Sequence, residues 1–137
     1  MTVQDVEDQK RIVLVDDDPI VGEIVSETLS AAGFRVDVVS DGRDALDAIY
    51  AAETDLVILD CNLPGRPGMV LLADIRQSVI LKSVPILMLT SRTSQWHAQI
   101  ALDNGANAYL KKPFDRTDLI VVVTKLLSGL GVVQRAI

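Results

Sequence analysis

Short apolar runs alternate with amphipathic stretches along almost the whole chain. Strands are expected at about 11–15, 35–39, 55–59, 85–89 and 107–111, where apolar and β-branched residues stand together. Runs of that length, bounded by turn residues, fit strands covered on both faces of a parallel sheet. Between them the period changes to that of a helix. Ile20, Val21, Ile24, Val25, Thr28 and Leu29 share one face, and Gly33 follows as a stop. Ala45, Leu46, Ala48 and Ile49 mark a second helix, and Val70, Leu71, Ile75 and Val79 a third. Ile100 and Ala101, before the stop pair Asn104-Gly105, mark a fourth over about 93–104. The fifth opens on Asp115 as its cap, with Asp118 three residues on and Phe114 placed to staple against Leu119. Five strand–helix units with right-handed crossovers make an α/β, doubly wound parallel sheet with helices on both faces.

The polar residues that interrupt this pattern fall at strand ends. Leu56-Val57-Ile58-Leu59 runs into Asp60, and Ile12-Val13-Leu14-Val15 runs into Asp16-Asp17-Asp18-Pro19. Side chains at the carboxyl ends of parallel strands gather at one edge of the sheet, where ligands bind at the switch point. Three carboxylates there repel one another, so the cluster should hold a divalent cation or carry raised pKa values. Two further strands end in the same way: Leu89 leads into Thr90-Ser91, and Tyr109-Leu110-Lys111 into Lys112-Pro113. A cation, a donor hydroxyl and an ammonium around one carboxylate stabilise charge on a transferring phosphoryl group. The carboxylate itself can be the nucleophile and form an acyl phosphate. Asp60 is therefore read as an aspartyl-phosphate site.

Composition narrows the class. The 137 residues suit one domain, with a net charge of −6 that argues against direct nucleic-acid binding. No apolar run approaches the roughly 20 residues a membrane-spanning helix needs. Met1 to Lys10 lacks the apolar core of a signal peptide and reads as a polar extension. The single cysteine, Cys61, excludes an internal disulfide and suits a reducing cytoplasm. It is read as a small residue beside the acid. The domain is expected over 11–128, with 129–137 as a tail or linker stub in which Gly129 and Gly131 break the last helix.

Four pieces in register carry a family resemblance: Val15-Asp16-Asp17-Asp18-Pro19, Asp60-Cys61-Asn62-Leu63-Pro64 with Gly68, Leu89-Thr90-Ser91, and Lys112-Pro113-Phe114. Over roughly residues 10 to 128 the chain resembles the receiver domain of two-component response regulators, similar to the single-domain chemotaxis regulator. The resemblance implies a flavodoxin-like fold with strand order 2-1-3-4-5. It implies a signalling module, not a turnover enzyme, in which Asp60 takes a phosphoryl group from a histidine kinase or histidine phosphotransfer protein. By position, Asp17 and Asp60 match direct magnesium ligands, Asp16 an acid acting through water, and Asn62 a residue that gives the metal its backbone carbonyl. Thr90 and Lys112 match the hydroxyl and amine that bind phosphoryl oxygens, Tyr109 matches the switch aromatic, and Lys112-Pro113 a cis peptide bond. Asn62 and Arg92 stand where the family tunes phosphoryl lifetime. The fourth helix, fifth strand and fifth helix would present the output surface to a downstream domain or protein, with dimerisation on phosphorylation as a further possibility.

Plainer readings stand beside these. Asp18 reads as a helix cap without a metal role, and Lys111 as a solvated neighbour of Lys112. Trp96 and His97 read as surface or partly packed, with partner anchoring a minority reading for Trp96. A phosphatase with an aspartate nucleophile would use the Asp16-x-Asp18 pair, but no insertion is long enough for a substantial cap. A flavodoxin-like cofactor binder needs a phosphate-cradling loop after the first strand, where this chain has three acids. The receiver reading is the one the residues favour.

Overall fold

The computed structural model describes residues 9–91 and 95–129, without the side chains of Gln95 and Trp96. The expectations for Arg92, for the Trp96 side chain, for residues 1–8 and for residues 130–137 thus lie outside the described residues. Five strands, β1 (Arg11–Val15), β2 (Arg35–Val39), β3 (Leu56–Asp60), β4 (Ile86–Thr90) and β5 (Ala108–Lys111), form one parallel sheet in the order β2-β1-β3-β4-β5. The helices are α1 (Pro19–Ala31), α2 (Ala45–Tyr50), α3 (Gly68–Gln77), α4 (Gln95–Asp103) and α5 (Arg116–Leu127), with a 3-10 turn at Gly42–Asp44 leading into α2. This is the doubly wound arrangement expected from the pattern, in the flavodoxin-like strand order that the resemblance implies.

Alternation along the strands divides the core in two. Ile12, Leu14, Leu56, Ile58, Leu87 and Leu89 face α1 and α5, where they meet Val25, Leu29, Leu119 and Val123. The intervening Val13, Val15, Val57, Leu59, Ile86 and Met88 face Ile49, Leu71, Leu72, Ile75 and Ala101 from α2, α3 and α4. Full burial of each such side chain contributes on the order of 2 kcal/mol. Both covers lock the register, because a slip of one residue would exchange the two faces.

The caps follow local chemistry. Asp18 accepts a hydrogen bond from the Ile20 amide at 2.9 Å, with Pro19 in the first turn of α1. Asp115 accepts from the Thr117 amide at 2.7 Å, and Phe114 packs on the cluster that contains Leu119. Lys112-Pro113 is cis.

Three details differ from expectation. β3 and β4 run one residue further than the apolar runs, because the ladder continues through Asp60 and Thr90: the Cys61 amide donates to the Leu89 carbonyl at 3.0 Å and the Lys112 amide to the Thr90 carbonyl at 2.7 Å. Val79 is not on the buried face of α3. That helix ends at Gln77, Ser78 turns extended and accepts the Leu81 amide at 3.2 Å, and Leu81 enters the core while Val79 is left 84 % exposed. Ile20 and Val70 are likewise exposed, so α1 and α3 bury narrower faces than their apolar periodicity suggested.

Candidate functional site

The carboxyl ends of four strands deliver the polar residues of interest to one edge of the sheet. Asp16 and Asp17 follow β1, Asp60 ends β3, Thr90 ends β4, and Lys112 follows β5. Asp16, Asp60 and Thr90 are 1 %, 4 % and 3 % exposed, whereas Asp17 opens to solvent. One oxygen from each of Asp16, Asp17 and Asp60 lies within 4.8 Å of the others. Lys112 Nζ reaches into this group, 2.8 Å from Asp16 Oδ2 and 3.3 Å from Asp60 Oδ1. The backbone orients the acids: the Asp18 amide donates to Asp16 Oδ1 at 2.9 Å, and the Asn62 amide to Asp60 Oδ1 at 3.2 Å.

The electrostatics follow from burial. Loss of water pushes the Asp60 carboxyl above its ordinary value and the neighbouring Asp16 charge adds to this, while the Asn62 amide and the Lys112 ammonium oppose it. Burial also works against the charge on Lys112. Its hydrogen bond and attraction to Asp16, with those to Asp60, outweigh that and hold its pKa above the usual lysine value. Three carboxylates around one ammonium leave the cluster negative. All its donors are hard oxygens, and exposed Asp17 leaves one side open to water. Such a set fits magnesium, which takes few carboxylates and keeps several waters.

The remaining candidates take these places. Tyr109 is half-buried, pairs with Met88 across the ladder and packs against the core on the α3 side of the sheet. Asn62 is exposed just beyond Asp60, and Lys111 is exposed to solvent. Cys61 is half-buried against the same core. His97 is closer to the site than its sequence position announced: with Cys61, Met69, Thr90 and Ile100 it lines a hollow of about 150 Å³. Helical spacing places His97 on one turn of α4 with Ala101, but nothing in the sequence says that this turn passes beside Thr90.

A family model for the response regulator receiver domain matches residues 12–124. The chain belongs to the response-regulator receiver family. Solved structures agree. A response regulator from Chloroflexus aurantiacus J-10-fl is 36 % identical with a TM-score of 0.84, over 88 % of this chain and 98 % of that one. The chemotaxis response regulator CheY4 of Vibrio cholerae is 34 % identical with a TM-score of 0.81, over 86 % and 98 % of the two chains. The receiver domain of a sensor histidine kinase from Pseudomonas aeruginosa PAO1 is 30 % identical with a TM-score of 0.81, over 88 % and 99 %, and has magnesium coordinated in its active-site cleft. Receiver domains are signalling modules of two-component systems that bind magnesium at an acidic site, and this receiver has a cluster of three aspartates. Among the described residues, no helix is long and apolar enough to cross a membrane.

Proposed function

We propose that this receiver takes a phosphoryl group onto Asp60 from the phosphohistidine of a histidine kinase or a histidine phosphotransfer protein. The carboxylate oxygen of Asp60 attacks phosphorus as the P–N bond breaks, and the departing imidazole nitrogen keeps the bonding pair and takes up a proton. Thr90 donates its hydroxyl to one phosphoryl oxygen and Lys112 its ammonium to another. Asp16, Asp17, Asp60 and the Asn62 carbonyl would hold magnesium, which when bound neutralises charge on the phosphoryl oxygens. The observation that most supports this reading is a buried acid at a strand end, within 3.3 Å of an ammonium and clustered with two further carboxylates.

The phosphoryl group then draws Thr90 towards the site, and Tyr109, one strand away, turns into the space behind it. The surface of α4, β5 and α5 changes with them and presents a different face to an output domain or protein, or to a second copy of the chain. In this reading the unit is residues 11–128, flanked by an extension over 1–10 and a linker or tail over 129–137, working in the cytoplasm. It catalyses only its own phosphorylation and dephosphorylation.

Incubation with acetyl phosphate, with and without magnesium, tests the reading by intact mass. A magnesium-dependent adduct of one phosphoryl group that is missing from Asp60→Asn is the expected result. No adduct at any magnesium level, with phosphoramidate failing as well, would leave a receiver that signals by binding alone.

A further inference from the structure

The loop that follows the acceptor, residues 61–67, carries Asn62 and is held from three sides. At its start the Asn62 amide donates to Asp60 at 3.2 Å, and at its end Arg66 Nε donates to Asp74 of α3 at 2.6 Å. The third side is a different part of the chain, the turn after β2. The Gly42 amide donates to the Pro64 carbonyl at 3.1 Å. A Cβ placed on Gly42 would lie 2.1 Å from the Arg66 carbonyl oxygen, so the two backbones touch with no room for a methyl group. Gly65, at φ +81°, faces back the same way: its Cβ would lie 2.2 Å from Asp41 Oδ1 and 2.8 Å from Arg43 Cγ. Asp41 fixes its own turn by accepting from the Arg43 amide at 2.8 Å and pairing with the Arg43 guanidinium at 2.8 Å. Two backbone segments far apart in sequence therefore interlock through a pair of glycines at the loop that follows Asp60.

We propose that the turn Asp41–Asp44 is a positioning brace for the loop after the acceptor, so that the cation affinity of the site depends on Asp41 and Gly42, which are not part of the acidic cluster. The inference rests on the proposed role of the Asn62 carbonyl as a cation ligand. Magnesium requires near-ideal octahedral ligands at about 2.0–2.1 Å. A methyl group on Gly42 must move to at least 3.0 Å from the Arg66 oxygen, which parts the loops by nearly an ångström. Both contacting groups are backbone, so no side-chain rotation absorbs that displacement. The shift passes along the loop to Asn62 and draws its carbonyl away from the cation, whereas Thr90, which ends β4, and Lys112, which follows β5, keep their places.

Magnesium titration of the full chain, followed through backbone amide resonances, reads this directly. Gly42→Ala should weaken magnesium about tenfold, as loss of an orienting partner does in metal sites. Asp41→Ala, which loses the hydrogen bonds that shape the turn but fills no space, should weaken it about threefold. Gly33→Ala is the control: Gly33 has φ +97° with nothing within 4 Å of a Cβ, so alanine strains the backbone there without touching the loop. It should lower the melting temperature and leave magnesium affinity within about twofold. At saturating magnesium, acetyl phosphate labelling of both brace variants should return to the wild-type rate. If Gly42→Ala does not fold, Asp41→Ala decides. Wild-type affinity in the brace variants overturns the proposal, as does a loss in all three variants that merely follows their loss of stability. A wild-type chain that binds no magnesium overturns the functional reading itself, and the two failures are thereby distinct.

Discussion

Lys112→Ala removes the ammonium that the buried acids Asp16 and Asp60 share. At an effective dielectric of about 20, its attraction to Asp16 at 2.8 Å is about 6 kcal/mol and to Asp60 at 3.3 Å about 5 kcal/mol. Those gross figures are offset by the cost of taking three ions out of water, so the net effect is much smaller. Truncating one partner of a buried ion pair typically costs 3–5 kcal/mol, because the other charge is left stranded. The Lys112 side chain keeps 18 % of its exposure, so the lower end applies, about 3 kcal/mol. For a chain of 137 residues that is a fall of about 10 °C in melting temperature. The sign with pH is fixed: the folded pKa of Lys112 lies above 10.5, so its contribution is complete below the unfolded value and is lost only as pH rises through the folded one. Urea unfolding at pH 7 in EDTA measures the loss. Added magnesium then separates a charge effect from a packing effect. A magnesium concentration a hundredfold over the wild-type dissociation constant stabilises wild type by about 2.7 kcal/mol, and at that same concentration the variant, whose more negative cluster binds the ion more tightly, should gain more. A variant within about 0.5 kcal/mol of wild type in EDTA, or one that magnesium stabilises less, refutes the reasoning.

The other predictions concern charge, surface and edge. Asp60 titrates above the unfolded aspartate value of about 3.9, so in that window the folded state binds more protons and stability falls as pH rises through it. Asp60→Asn should accordingly melt higher than wild type at pH 7 in EDTA, lose the advantage below pH of about 3.9, and fall behind once magnesium is added; a scan of melting temperature against pH checks all three. Val79→Asp, at a position 84 % exposed, should stay within about 0.5 kcal/mol of wild type, whereas Ile75→Ala, at a fully buried one, should cost about 3 kcal/mol in urea unfolding. Arg11→Ala should cost about 3 kcal/mol in the same assay, since Arg11 is 7 % exposed and holds Asp37, Thr54 and the Ala48 carbonyl at 2.7, 2.7 and 2.9 Å.

Arg11 marks the boundary of what the sequence carries. Its apolar neighbours announce a buried strand, and the strand is there, but nothing in the local sequence says where the guanidinium at its first position goes. The structure buries the guanidinium against carbonyls of α2 and its following loop, ties it to Asp37 on β2, and places Asp55 on its backbone amide at 2.8 Å. Those partners lie 26 to 44 residues away, and no local period encodes them. Val79 failed for a related reason. It continues the periodicity of Val70, Leu71 and Ile75, but Ser78 forms a turn and Leu81 takes the buried place. The gathering of Asp16, Asp17, Asp60, Thr90 and Lys112 was legible because it needs only two local facts: polar residues end apolar runs, and the runs are parallel. Parallel pairing aligns the carboxyl ends without any knowledge of side-chain contacts.

What parallel pairing leaves open is how the loops beyond those ends are held, and there the chain relies on contacts between segments distant in sequence. Gly42 and Gly65 illustrate the point. In the sequence each is a turn residue, one before a helix and one after Pro64, and nothing joins them. In the fold each glycine lacks a side chain because the other segment's atoms fill the space where its Cβ would be. The acids are set by the strands, which two covered faces make rigid; the loop bearing Asn62 rests in addition on a turn distant in sequence. Side chains fixed by the sheet and a carbonyl fixed by a brace respond differently to perturbation. Changes near β2 should therefore act on magnesium affinity before they act on the labelling of Asp60.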